Sequence, residues 1–247
     1  MAGHSHWAKV KRYKVVTDAR KGKLFSKLSR EITMAAKMGG GDPGFNPRLR
    51  TAVEAARSES MPADKIENAI NKGTGKIEGV TFEEMMYEGY APGGVALLVE
   101  VATDNKNRTA AEMRSLFTKS GGNMSGSVAW MFKKVAWFLV ENSSEDAVLE
   151  ATLEAGADDV KVADDNTIEV TAPVDKFDAL EKALKAASIK ITESKITYIP
   201  TNPAPITDEA AAQKVLSLIE ALDDHDDVQN VYPHCDISSE IIEKLGK

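Results

Sequence analysis

VAWFLVENSSEDAVLEATLEAGADDVKVADDNTIEVTAPVDKFDALEKALKAASIKITESKITYI, residues 135 to 199, spells out a complete fold in its order of elements. Val135 to Val140 reads as a strand, Glu145 to Ala155 as a helix closed by Gly156, and Val160 to Val162 and Ile168 to Val170 as two strands around Asp164-Asp165-Asn166. Phe177, Leu180, Leu184 and Ala187 recur at helical spacing, and Ile189 to Ile199 supplies a last strand. The order β-α-β-β-α-β is the ferredoxin-like unit. Pro200, Pro203 and Pro205 give it a stiff exit.

Downstream, Thr207 to Leu222 is a helix with Ala211, Val215, Leu218, Ile219 and Leu222 inward, and Val228 to Tyr232 a strand. A lone helix and strand cannot bury their apolar faces, so they must join something earlier. Upstream, Phe82 to Tyr90 and Val95 to Val101 are strands flanking the turn Ala91-Pro92-Gly93-Gly94. Thr109 and Glu112 form a capping-box pattern that opens a helix with Met113, Leu116 and Phe117 inward, and Val128 to Phe132 reads as the next strand. The expectation is an α+β protein of three domains. Residues 1–79 make a basic helical module, residues 80–134 with 200–247 a discontinuous α+β domain, and residues 135–199 a ferredoxin-like domain inserted into it.

The helical module is the basic end. From Thr17, Leu24, Leu28, Ile32 and Ala35 share one sector of a helix, and Arg20, Lys23, Lys27, Arg30 and Lys37 share the adjacent one. Gly39, Gly40 and Gly41 stop it. Asn46 caps a second helix with Pro47 at its first position; Arg48, Arg50 and Arg57 lie on it. A third begins near Pro62, buries Ile66, Ala69 and Ile70, and takes Gly73 as the residue after its last turn. Before Thr17, an arm without period interleaves Lys9, Lys11, Arg12 and Lys14 with Trp7 and Tyr13. Such a segment orders on a polyanion, its cations displacing counterions and its aromatics stacking.

Charge is laid out in blocks. Residues 1–80 carry sixteen Lys and Arg against eight Asp and Glu, residues 81–140 six of each, and residues 141–247 nine against twenty-four. A net charge of -7 for the whole chain therefore hides a basic end suited to a polyanion and an acidic end that repels one. The lone cysteine, Cys235, allows no internal disulfide, no run reaches eighteen apolar residues, and the N-terminus lacks a signal-peptide core, so a cytoplasmic protein is expected. Gly75-Lys76 and Gly22-Lys23 lack the rest of a phosphate loop, since Ile70 and Thr17 stand where its first glycine belongs. No Gly-x-Ser-x-Gly is present. His225, Asp227, His234 and Cys235 lack any standard zinc spacing, and the acidic run Asp223 to Asp227 reads as a solvated helix exit. No catalytic residue, metal or cofactor is assigned.

Met1-Ala-Gly-His-Ser-His-Trp-Ala-Lys9, Asp18-Ala-Arg-Lys-Gly-Lys23, Arg30-Glu-Ile32, Gly39-Gly-Gly-Asp-Pro43, Asn46-Pro-Arg-Leu-Arg50, Gly89-Tyr-Ala-Pro-Gly-Gly94, Thr103-Asp-Asn105 and Asn107-Arg-Thr109 follow one another in an order that resembles the YebC family over the whole chain. The resemblance implies a helical N-terminal domain and two α+β domains, one ferredoxin-like and inserted in the other. Members of that family are described as DNA-binding transcriptional regulators, others as translation factors acting with ribosomes, including mitochondrial translational activators. His6 stands where lysine is usual, and Gly122 to Ser127 is a shortened segment.

The reading is a non-enzymatic nucleic-acid-binding regulator of gene expression, a DNA-binding transcriptional regulator by resemblance. A ribosome-associated RNA-binding translation factor is its alternative, and an acidic protein–protein adaptor the second. Its binding residues are Lys9, Lys11, Arg12, Lys14, Arg20, Lys21, Lys23, Lys27, Arg30, Arg48 and Arg50, with Lys106 and Arg108 beside a helix N-terminus able to hold a phosphate. A protein partner fits the acidic half; no membrane is involved, and the chain is a monomer or weak dimer. Changing Lys23, Lys27 and Arg30 to glutamate is expected to abolish binding with little change in melting temperature.

Overall fold

The computed structural model describes residues 18–79, 81–163 and 167–245. The chain is α+β, and Phe132–Thr201 form one compact unit while the remaining described residues form another.

In the first unit, β3 (Phe132–Glu141), α5 (Glu145–Leu153), β4 (Asp159–Val162), β5 (Ile168–Ala172), α6 (Phe177–Ala186) and β6 (Lys190–Pro200) follow one another. The sheet order is β4-β5-β3-β6, every pair antiparallel. Alternation along β3 sends Phe138 and Val140 to a core with Val148 of α5 and Leu180 and Leu184 of α6, and Trp137 and Leu139 to a second apolar cluster. Fully burying each such side chain stabilises by about 1.5–3 kcal/mol. Because this core closes on itself, residues 132–201 expressed alone should melt cooperatively with dispersed amide resonances. A fragment of residues 80–131 should do neither, since its central strand takes a partner from far along the chain.

That dependence is visible in the second unit. It starts with α1 (Asp18–Gly39), α2 (Pro47–Ser58) and α3 (Ala63–Gly73), which share one core: Ile32, Ala35, Leu49, Val53, Ala56 and Ile66. Then come β1 (Glu83–Tyr90), β2 (Ala96–Thr103), α4 (Lys106–Lys119), and, after the first unit, β7 (Ala204–Ile206), α7 (Glu209–Asp223), β8 (Val228–Pro233), β9 (Cys235–Ile237) and α8 (Ser239–Leu245). The sheet order is β1-β2-β8, antiparallel throughout. The strand after α7 thus completes a sheet begun more than a hundred residues earlier, and β2, paired on both edges, is buried along nearly its whole length.

Four details of the sequence reading change. The cap of α4 is Asn105, whose side chain accepts from Arg108 N, so Thr109 lies inside the helix, fully buried. Ala129–Met131 is a tight 3₁₀ turn and Val128 belongs to no strand, because Glu88 draws Val128 N, Ala129 N and Ser127 Oγ onto one carboxylate oxygen; β3 begins only at Phe132. The proline-rich exit carries a short strand, with Ala204–Ile206 pairing in parallel with Cys235–Ile237. Gly73 is the last residue of α3, and the left-handed position falls on Gly75 (φ +74°). Gly73 is glycine for closeness of approach: a Cβ there would lie 2.3 Å from Thr33 O and 2.8 Å from Ala36 Cβ of α1.

Candidate nucleic-acid interface

Lys9, Lys11, Arg12 and Lys14 lie outside the described residues, as does the side chain of Arg20. Lys21 is exposed on the first turn of α1. Farther along, the basic stripe of α1 meets the acidic loop after α7. Lys23 Nζ donates to Asp224 O (3.1 Å), Lys27 Nζ pairs with Asp223 Oδ1 (3.1 Å), and Arg30 Nη2 lies 3.6 Å from Asp227 Oδ1 with its guanidinium 5.4 Å from the Phe82 ring centroid. Lys37 Nζ donates to Phe82 O at 3.2 Å. Asp223 to Asp227 is therefore an electrostatic seam for α1 rather than a freely solvated exit.

The remaining predicted cations are tied down as well. Arg48 makes a two-pronged pair with Glu31 (2.7 and 2.9 Å) and reaches Glu84. Burial alone would lower its pKa, but the bonds and charge of Glu31 and Glu84 outweigh it and push the value up. Arg50 Nη1 donates to Pro43 O (3.2 Å), and Lys106 Nζ pairs with Glu83 Oε2 (2.6 Å). Arg108 bridges Asp104 (3.0 Å) and Asp227 (2.7 Å).

Asp227 is the centre of this network, a role that its place in an acidic run does not reveal. Its Oδ2 accepts from Thr109 (2.7 Å), Arg108 (2.7 Å) and Thr103 (3.2 Å), while its N–H donates to His225 Nδ1 (3.1 Å). Burial favours the protonated acid here, yet the bonds from Arg108 and Thr109, the charge of Arg108 and the bond from Thr103 prevail and lower its pKa. The signal was present in Thr103-Asp-Asn105 and Asn107-Arg-Thr109, whose hydroxyls and guanidinium converge on a carboxylate 118 to 124 residues away.

Glu112, His225 and Asp227 also bring one potential ligand atom each to within 4.8 Å of one another. The donor set suits an ion-pair hub better than a metal. Arg108 already supplies the positive charge at Asp227, and with Nδ1 accepting from Asp227 N–H, Nε2 is engaged with Glu112 Oε2 (2.9 Å). His234 and Cys235 lie elsewhere: His234 N–H donates to Ala96 O, and burial pushes the Cys235 thiol up to about 12, an unreactive thiol at neutral pH.

Cations without carboxylate partners lie along a groove between α1 and α3. It encloses about 290 Å³ and is lined by Phe25, Ser26, Ser29, Lys65, Asn68 and Lys72. Lys65 Nζ stands 5.6 Å from the Phe25 ring centroid, and among the described residues neither Lys65 nor Lys72 forms an ion pair. The two lysines sit two turns apart on one side of α3, so a chain of phosphates could run along the helix between them.

The chain is similar to known proteins along its length. Residues 5–76 match the TACO1/YebC protein N-terminal domain, and residues 82–234 the TACO1/YebC second and third domain. A protein of Dictyoglomus turgidum is 52% identical over 251 residues and one of Methylacidiphilum infernorum 52% identical over 248; they are covered at 100% and 99%, as is this chain, and both are named probable transcriptional regulatory protein. The crystal structure of a conserved hypothetical protein from Aquifex aeolicus superposes with a TM-score of 0.81 at 44% identity, over 91% of this chain and 93% of that one. With both parts of the sequence matched in order, relatives aligned from end to end and the fold reproduced in a crystal structure, the chain belongs to the TACO1/YebC family.

Proposed function

We propose that this protein regulates gene expression by binding nucleic acid, with no catalytic step of its own. The observation that carries the reading is the groove between α1 and α3. Its two lysines face solvent without a carboxylate partner, whereas Lys23, Lys27 and Arg30 of α1 are held by the acidic loop. Desolvated ion pairs inside the chain cannot release counterions, but Lys65 and Lys72 can. In this proposal Lys9, Lys11, Arg12, Lys14, Arg20 and Lys21 add phosphate contacts of their own, while Lys23, Lys27, Arg30, Arg48 and Arg108 brace the scaffold. The names carried by the relatives from Dictyoglomus and Methylacidiphilum favour DNA as the physiological polyanion. Among the described residues no helix is long and apolar enough to cross a membrane.

Salt dependence tests the proposal. If about six phosphates are contacted, log K for a short duplex should fall against log salt with a slope of about -5. Lys65→Glu with Lys72→Glu should lower affinity at 100 mM salt by more than tenfold and flatten the slope by about 2, with the melting temperature unchanged because both side chains are exposed. Absence of binding by the unmodified protein at low salt would favour the adaptor reading, in which the acidic half meets a basic protein. The structure also revises the triple change at Lys23, Lys27 and Arg30. Reversing these charges sets glutamates against Asp223 and Asp227, so loss of binding would be mixed with loss of folding.

A further inference from the structure

The loop between α1 and α2 exposes an aromatic side chain from a backbone that is fixed from every side. Phe45 is 89% exposed, in a chain whose other phenylalanines are largely covered. Exposing a phenylalanine forgoes about 1.5–3 kcal/mol of burial.

The loop beneath it is held by Asn46, Asp42 and Arg50. The buried Asn46 amide donates to Ala35 O and Gly40 O, both at 2.8 Å, and its Oδ1 accepts from Leu49 N. Asp42 accepts from Gly44 N through Oδ1 (2.8 Å) and from Phe45 N and Asn46 N through its carbonyl (3.1 and 3.0 Å). Arg50 clamps Pro43 O, and Arg48 Nη1 donates to the Met38 sulfur at 3.1 Å. A side chain held out on so determined a backbone loses little further freedom on binding.

Its neighbourhood names the occupant. Gly41 abuts the C-terminal end of α3, where an added Cβ would meet Thr74 Cγ2 at 2.8 Å, and Lys72, two residues earlier, lines the groove. The loop that carries the aromatic is therefore seated on the end of α3 that carries Lys72. An exposed aromatic on a loop that adjoins a helix with solvent-facing lysines matches the recognition of unpaired bases, which stack on a ring while cations hold the backbone; a duplex keeps its bases stacked on each other.

We infer that Phe45 is a stacking platform for an unpaired base, so that the groove takes single-stranded or looped nucleic acid in preference to duplex. This rests on the proposed binding function and narrows it. Its test uses the full chain with 12-nucleotide single strands carrying 2-aminopurine, one of RNA and one of DNA, and a matched duplex. Phe45→Ala should weaken single-strand affinity about tenfold and remove the quenching of 2-aminopurine, Phe45→Trp should restore both, and duplex affinity should be unchanged. Loss on the RNA strand alone assigns RNA as the source of the base, and loss on both strands assigns unpaired bases of either kind. Equal affinity of the unmodified protein and Phe45→Ala for both strands overturns the stacking role alone and leaves a protein pocket as the ring's partner. No binding of any probe overturns the binding function with it. Phe45→Ala and Phe45→Trp should match the unmodified protein in thermal melting, which separates these outcomes from misfolding.

Discussion

Replacing Asp227 by alanine should destabilise the protein by about 3 kcal/mol at neutral pH, within the range for removing one partner of a buried ion pair. Asp227 is 2% exposed, and its loss leaves the hydroxyls of Thr103 and Thr109 short of an acceptor and Arg30 and Arg108 short of a charge. Arg30 is the more affected of the two cations, since its Nη1 already lacks a partner and its side chain is only 18% exposed. Asp227→Asn keeps the volume and one acceptor, so its cost should be smaller.

The pH dependence has a defined sign. Because the folded pKa of Asp227 is depressed, its contribution is fully present above the unfolded value near 4 and is lost as pH falls through the folded pKa. Urea melts at pH 7 and at pH 2.5 check this: the gap between the unmodified protein and Asp227→Ala should be wide at the first and narrower at the second. An equal gap at both would mean that the carboxylate's charge has no part in its role.

Gly73→Ala should cost about 2 kcal/mol or more, although alanine is the better helix former by about 1 kcal/mol. The added Cβ would lie 2.3 Å from Thr33 O, a backbone atom in the middle of α1 that cannot swing aside. The two helices must move apart, and Thr33 Oγ1, which donates to Ala69 O at 3.2 Å, loses its reach. Since these helices form the walls of the basic groove, nucleic-acid affinity should fall together with the melting temperature. Gly22→Ala serves as the control for stability alone, because nothing lies within 4 Å of the position its Cβ would take but the residue lines the groove.

Periodicity and turn chemistry made most of this fold legible. Phe138 and Val140 alternating on one strand, Leu180 and Leu184 one helical turn apart, and Asn46 before Pro47 are local signals, and each element forms where its signal lies. Thr109 misled because a Thr-x-x-Glu pattern resembles a cap wherever it occurs. The cap fell to Asn105, and the threonine was needed four residues later as a donor to Asp227.

The site was less legible for a related reason. A basic stripe on a helix looks the same whether it faces a polyanion or a carboxylate of its own chain, and Lys27 and Asp223 are 196 residues apart. Only the closure of β2 against β8 brings that acidic loop to α1. Lys65 and Lys72 drew no notice in the sequence because they sit on a helix with Asp64 and Glu67; what singles them out is the groove they line. Phe45 carries no signal in the sequence, since its exposure depends on the folding of its surroundings.

The central claim is that the helical part of this chain grips nucleic acid. Photocrosslinking the full chain to a mixed pool of single-stranded and duplex oligonucleotides, followed by mass-spectrometric mapping of the modified peptides, tests it most directly. The expected result is adducts concentrated on the N-terminal arm, Lys65, Lys72 and Phe45, with few on residues 132–201. Adducts confined to residues 132–201, or none above those of a protein that does not bind nucleic acid, would contradict it.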